Sequence, residues 1–124
     1  MSIIQKFYDN MASHYDKLFL DWKATTKEQA VLLQGIFQKF NFGQTASILD
    51  CACGIGTQAI GLALLGYDVT ASDISDGEIA EAKARAANKV NNTFFITYRI
   101  LILLQIHFKV NFKIASNNFQ FTLK

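Results

Sequence analysis

The chain has 124 residues, which allows one domain with a small core. Hydrophobic residues make up 51% of it, so global disorder is excluded. No apolar run approaches the 18 or so residues that a membrane span needs, and the N-terminus lacks the basic and apolar regions of a secretory signal. We therefore expect no membrane partner.

The net charge of +2 is unevenly distributed along the chain. All ten acidic residues lie within residues 1–81, whereas residues 82–124 carry seven Lys or Arg and no acid. These basic residues are scattered singly, so we expect no nucleic-acid partner. Cys51 and Cys53, separated by one residue, form neither a disulfide framework nor a metal site. These features predict a reduced, cytoplasmic protein without a bound metal.

Apolar residues recur every three or four positions through residues 3–22, which predicts one or two short helices. Thr25 and Glu28 have the spacing of a capping box, which predicts that the next helix begins there. One side of that helix is apolar. Its members are Ala30, Leu33, Phe37 and Phe40.

The middle of the chain alternates strands and helices. A buried strand is predicted over Ser47–Ala52, followed by a glycine loop, Cys53–Thr57, and a helix over Gln58–Leu65. A second strand over Tyr67–Ser72 ends at Asp73. Ser75 and Glu78 then form a second capping box, which opens a helix that runs to about Asn88. This order predicts an α/β fold, the beginning of a doubly wound, Rossmann-like parallel sheet preceded by a helical cap.

The composition changes after Asn88. Residues 89–124 contain no Gly, Pro or acid but six of the eleven phenylalanines, so we divide the chain into 1–88 and a divergent or truncated tail, 89–124. A third strand could begin near Thr93. Residues 105–114 and 119–124 alternate polar and apolar positions, which allows an antiparallel hairpin with a turn at 116–118. With no further strand beside it, the first strand would have an open edge suited to self-association.

The glycine loop and the end of the second strand have the features of a ligand site. Gly54 and Gly56 let the backbone approach a ligand closely, and the helix N-terminus favours an anionic or polar group. Asp73 ends the second strand, where a carboxylate can accept hydrogen bonds from a ribose diol. These residues predict a cofactor that contains ribose.

The same loop also matches the dinucleotide fingerprint G-x-G-x-x-A over residues 54–59, so NAD is an alternative cofactor. Asp50 argues against it, because this carboxylate would lie beside the pyrophosphate and repel it. A positively charged ammonium group would be favoured at that position instead.

Two segments resemble a known family. Residues 48–75, ILDCACGIGTQAIGLALLGYDVTASDIS, are similar to motif I and the second strand of class I S-adenosylmethionine-dependent methyltransferases. The form D-x-A-C-G-x-G, with the upstream FYDNMASHYDKLFLDW, resembles the glycine/sarcosine N-methyltransferase branch and related small-molecule methyltransferases. The resemblance implies S-adenosylmethionine as cofactor and methyl transfer to a small molecule. An inactive cofactor-binding remnant is the alternative, since the acid that the family has after its third strand is missing.

The resemblance also implies which residues bind the cofactor, although it assigns no catalytic residue. Four would line its methionine end: Asp50, Ala52, Gly54 and Gly56. The others surround its nucleoside and its methyl group. Asp73 would bind the ribose hydroxyls, Ile74 would pack on the adenine, and Tyr8 and Tyr15 would close over the methyl group.

Overall fold

The computed structural model describes residues 1–87, 89–90, 93–97, 110–115 and 118–123. Its α-helices are Ile3–Met11 (α1), Trp22–Lys39 (α2), Thr57–Leu64 (α3) and Asp76–Ala86 (α4), with a 3₁₀ helix over Ala12–Leu18. Its strands are Ser47–Asp50 (β1), Asp68–Asp73 (β2), Thr93–Thr97 (β3), Val110–Ala115 (β4) and Asn118–Leu123 (β5). No helix in these residues is both long enough and apolar enough to span a membrane.

The strands form two sheets. The first is parallel with the order β1-β2-β3, and it pairs Ile48 with Val69 and Ala71 with Phe95. The second is the antiparallel pair β4-β5, in which Ala115 lies opposite Asn118. The predicted α/β fold with a parallel sheet is confirmed, as are the strand near Thr93 and the hairpin. Residues 105–109, 116–117 and 124 of the predicted hairpin lie outside the described residues.

Helix α2 begins three residues before the predicted capping box. Its N-cap is Asp21, whose side chain accepts the backbone N–H of Ala24 at 3.0 Å. The prediction of a Thr25–Glu28 capping box is therefore wrong. Aspartate is as good an N-cap as threonine, and a cap at Asp21 adds a first turn that includes Trp22.

The core lies between the parallel sheet and the helices α2, α3 and α4. Its largest fully buried side chain is Tyr67, whose ring packs edge-on against Phe37 of α2 with 5.7 Å between the centroids. Helices α2 and α3 approach closely at Gly61, where a Cβ atom would come within 2.6 Å of the Thr26 carbonyl oxygen. These contacts fix α3, and with it the glycine loop that precedes it.

Strand β1 is at the edge of the parallel sheet among the described strands. Leu49, in the middle of β1, is 60% exposed. An exposed apolar edge strand is a surface on which chains can pair. Self-association through this edge stays a prediction.

Candidate functional site

The carboxyl ends of β1 and β2 meet the glycine loop and the N-terminal cap (residues 3–22) around two neighbouring cavities. The first has a volume of about 250 Å³, and its described lining is Tyr8, Tyr15, Ala52, Gly54, Asp73, Ile74 and Glu78. The second, of about 210 Å³, shares Tyr15, Ala52 and Gly54 with the first and also includes Asp50. Seven of the eight predicted cofactor residues thus line one continuous region, which we call the loop cavity.

Asp73 lies at the centre of this arrangement. Its Oδ2 accepts the backbone N–H of Gly54 at 2.9 Å, and its Oδ1 accepts the N–H of Ser75 at 3.0 Å. The side chain is buried apart from a small exposed fraction. One carboxylate thus holds the glycine loop against the end of β2 and also faces the loop cavity.

The two loop glycines face different surroundings. Gly54 has φ +53°, and a Cβ there would lie 3.7 Å from Oε2 of Glu78, on the cavity side. Gly56, the predicted residue that is absent from the cavity lining, has φ +85°, and its Cβ would lie 2.9 Å from Cδ1 of Ile60 and 3.3 Å from Cβ of Ala82. In the structure Gly56 therefore brings α3 and α4 together.

Asp50 ends β1 beside the second cavity. Burial raises the pKa of its carboxyl group, and the charge of Asp73 adds to this, whereas a hydrogen bond from the Ala52 N–H at 3.4 Å opposes it. A carboxylate so placed is stabilised by an incoming positive charge. An ammonium group beside Asp50 stays a prediction.

The N-terminal cap is attached to α4 through polar contacts. Oδ1 of Asp9 accepts hydrogen bonds from the Ser75 hydroxyl and from the backbone N–H of Gly77, the latter at 2.9 Å. Gly77 permits this approach, because a Cβ there would come within 3.0 Å of the Asp9 Cα. Asp9 was not predicted as a site residue. The recurrence of Tyr-Asp at residues 8–9 and 15–16 was its only signal.

A second set of contacts attaches the end of the cap. Arg85 forms an ion pair with Asp16 at 3.2 Å, and its guanidinium carbon lies 4.6 Å from the centre of the Trp22 ring. The Trp22 indole N–H donates to the Thr57 hydroxyl at 2.9 Å. The cap is thereby joined both to α4 and to the first residue of α3.

Many apolar side chains of the cap, in contrast, are exposed. Ile3 is 88% exposed, Ile4 63% and Phe7 56%. The predicted helices are confirmed, but in the described residues this part of their apolar stripe faces outwards. The polar residues Gln5 and Asp9 are on the side of α1 that faces the protein.

Glu78 is the cavity residue that sequence reasoning missed. The spacing from Ser75 indicates a capping box, and the Ser75 hydroxyl does accept the Glu78 backbone N–H at 3.0 Å. The reciprocal contact is absent, because the Ser75 N–H donates to Asp73 instead. The Glu78 carboxyl group is consequently available to line the loop cavity, where it is only 3% exposed.

Negative charge dominates the loop cavity. Burial raises the pKa of Glu78 to about 7, with further contributions from the charge of Asp73, a hydrogen bond with Asp73 and the charge of Asp9. Burial, followed by the charge of Glu78, also raises the pKa of the Tyr15 hydroxyl. None of the described lining residues of either cavity is Lys, Arg or His. The cavity is thus suited to a ligand that carries positive charge.

The two cysteines differ in exposure. Cys51 is exposed and Cys53 is buried, and burial raises the pKa of the Cys53 thiol. Within the described part of the chain, no cluster of His, Cys, Asp or Glu has the arrangement of a metal site.

Sequence comparison assigns the chain to a family. The family described as a methyltransferase domain matches residues 48–122, which is more than half of the chain. The match extends into the predicted tail, and the division of the chain at residue 88 stays a prediction. No curated protein matches the sequence.

Several solved structures share the fold of this chain. One is magnesium protoporphyrin IX methyltransferase from Synechocystis PCC 6803 with bound S-adenosylhomocysteine (SAH). The alignment covers 77% of this chain and 49% of that protein, with a TM-score of 0.60 and 19% identity. The DhpI–SAH complex matches 75% of this chain and 42% of its own, with a TM-score of 0.53 and 25% identity. Phosphoethanolamine N-methyltransferase 1 from Haemonchus contortus matches 74% of this chain and 20% of its own, with a TM-score of 0.51 and 15% identity. The chain spans half or less of the length of these proteins.

Proposed function

The chain belongs to the methyltransferase domain family, and we propose that it binds S-adenosylmethionine in the loop cavity for methyl transfer to a small molecule. The observation that carries this proposal is the position of Asp73, between the Gly54 backbone and the cavity. All three structural neighbours described above were solved with SAH, the product that S-adenosylmethionine leaves after methyl transfer.

The residues of the loop cavity fit this cofactor. Asp73 offers carboxylate oxygens to the ribose hydroxyls, and Ile74 offers an apolar surface to the adenine ring. Asp50, whose pKa is raised by burial, is stabilised by the ammonium group of the methionine moiety. A pyrophosphate is disfavoured by the same carboxylates, which argues against NAD.

When bound, S-adenosylmethionine supplies a methyl group activated by a positively charged sulfur. The residues of this chain orient the reactants and exclude water, which is the main contribution a protein makes to such a transfer. Tyr8 and Tyr15 carry out this role from the cap, where both line the first cavity. Asp9 acts as a positioning residue, because its contacts with Ser75 and Gly77 keep the cap closed on α4.

We propose a small amine, such as an amino acid, as the acceptor. The support is the resemblance of FYDNMASHYD to the cap of the glycine/sarcosine N-methyltransferase branch. One of the structural neighbours is itself named as an N-methyltransferase that acts on phosphoethanolamine.

The proposal is tested by transfer of a labelled methyl group from S-adenosylmethionine to a panel of small amines, with the monomer isolated by size. Transfer above the rate without protein, lost in Asp73→Ala and retained in Asp68→Asn, would support it. Asp68 is a matched control because it is exposed and lies at the opposite end of β2. Cofactor binding without transfer to any amine would favour the inactive cofactor-binding alternative.

A further inference from the structure

We propose that Glu78 shifts the affinity of the loop cavity towards the cationic cofactor S-adenosylmethionine, relative to its neutral-sulfur product, SAH, as the pH rises. This inference rests on the proposed function. It concerns a residue of α4 that the resemblance does not place in the site.

The position of Glu78 is the first support. Its carboxyl group lines the first cavity with Gly54 and Asp73, and the whole residue is only 3% exposed. Gly54 lies close to it, since a Cβ on Gly54 would be 3.7 to 3.9 Å from the Glu78 carboxyl atoms. A ligand that approaches the Gly54 backbone closely must therefore also approach Glu78.

The second support is an incomplete set of hydrogen bonds. Oε1 of Glu78 is buried and has no hydrogen-bond partner among the described residues. A buried carboxylate oxygen without a partner is costly, so such an atom in a cavity indicates a missing partner there. The hydrogen bond between Glu78 and Asp73 leaves this oxygen without a partner, and both oxygens of Asp73 already accept backbone N–H groups.

The third support is the charge that surrounds Glu78. Asp73 at the end of β2 and Asp9 on α1 face it and raise the energy of its ionised form. The other titratable groups near it are Tyr8 and Tyr15 of the cap and the thiol of Cys53. None of these groups is a cation, so a positive charge brought by a ligand has no competitor among them.

Together these features couple ligand charge to the proton on Glu78. The pKa of Glu78 is about 7 in the cofactor-free protein, so near neutral pH the group is about half ionised. A sulfonium in the cavity favours the ionised form and releases a proton, whereas the uncharged sulfur of SAH does not. The preference for S-adenosylmethionine over SAH therefore rises with pH. If the pKa of Glu78 differs by one unit between the two complexes, the ratio of the two affinities changes with pH by at most roughly tenfold.

The test is calorimetric titration of the full chain with S-adenosylmethionine and with SAH at pH 5.5 and 7.5. For the wild type we expect the affinity ratio to rise about five- to tenfold between these pH values, more than in Glu78→Gln. Asp68→Asn should behave as the wild type. The ligands' own titratable groups affect the pH dependence equally in both proteins. The difference between the wild type and Glu78→Gln is therefore free of their contribution.

Two results separate this inference from the function on which it rests. Binding of both ligands with a ratio that changes equally in wild type and Glu78→Gln would overturn the role of Glu78 and leave the cofactor site intact. Binding of neither ligand would overturn the proposed function. If Glu78→Gln does not fold, titrations of the wild type in buffers of different ionisation enthalpy decide. Proton release with S-adenosylmethionine but not with SAH supports the inference, and equal release contradicts it.

Discussion

Gly54 and Asp73 are joined by a 2.9 Å hydrogen bond from the loop backbone to the carboxylate at the end of β2. The two residues are 19 positions apart, and the bond fixes the glycine loop at the level of the second strand. The residue that we expect to bind ribose thus also shapes the loop that approaches the cofactor. Substitutions of Asp73 are expected to affect both.

We expect Asp73→Ala to weaken SAH binding by roughly tenfold or more, because buried hydroxyls of the ligand lose an acceptor worth about 1–3 kcal/mol. The variant should also lose stability, since the N–H groups of Gly54 and Ser75 lose their acceptors. Denaturant unfolding measures the second effect separately. An unchanged dissociation constant in a folded variant would remove Asp73 from the site.

A substitution of Gly56 tests whether this residue is a packing contact between α3 and α4. Gly56→Ala places a Cβ 2.9 Å from Ile60, in a backbone conformation that side chains rarely adopt, so we expect a loss of about 2–3 kcal/mol. Gly66→Ala is the matched control, because Gly66 also has positive φ, +96°, but nothing within 4 Å of the added atom. Equal destabilisation of the two variants in urea would show that Gly56 is not a packing contact.

Asp9→Ala is expected to loosen α1 from α4. The Gly77 N–H and the Ser75 hydroxyl lose their acceptor, at a cost of about 1–2 kcal/mol. Faster hydrogen exchange within residues 3–18 would report the loss. Asp9→Asn keeps one carbonyl oxygen and should restore most of the protection, so equal exchange in all three proteins would contradict the account.

Glu78 predicts how the stability of the cofactor-free protein depends on pH. Its pKa is raised from 4.5 to about 7 on folding, so the folded state holds the proton more tightly. The stabilisation is therefore complete below about pH 4.5 and is lost as the pH rises through 7. Urea unfolding between pH 5 and 8 should show a downward slope that is smaller in Glu78→Gln. An identical slope in the two proteins would rule out this assignment.

Local sequence signals identified most of the fold. Strands β1 and β2 lie within two residues of their predicted bounds, and Ser75 caps α4 as its spacing from Glu78 predicts. The start of α2 was missed because two polar residues, Asp21 and Thr25, could each cap a helix. The choice between them depends on Trp22, whose contacts with Thr57 and Arg85 form only in the folded protein.

The site was predictable to a similar extent. Residues at strand ends and in the loop lie where their positions indicate, because parallel strands place their carboxyl ends along one edge. Glu78 was missed because the capping box already accounted for it, and only the structure shows that Asp73 takes the Ser75 N–H. The role of Gly56 in packing α3 against α4 likewise depends on distant residues, such as Ala82.

The most direct test of the central claim is equilibrium titration of the chain with SAH and, separately, with NAD. We expect SAH to bind once per chain and NAD to bind much more weakly. Asp73→Ala should weaken SAH binding, whereas Asp68→Asn, at the far end of β2, should not. Tight binding of NAD without binding of SAH would contradict the account, because the acid-lined cavity would then hold a pyrophosphate.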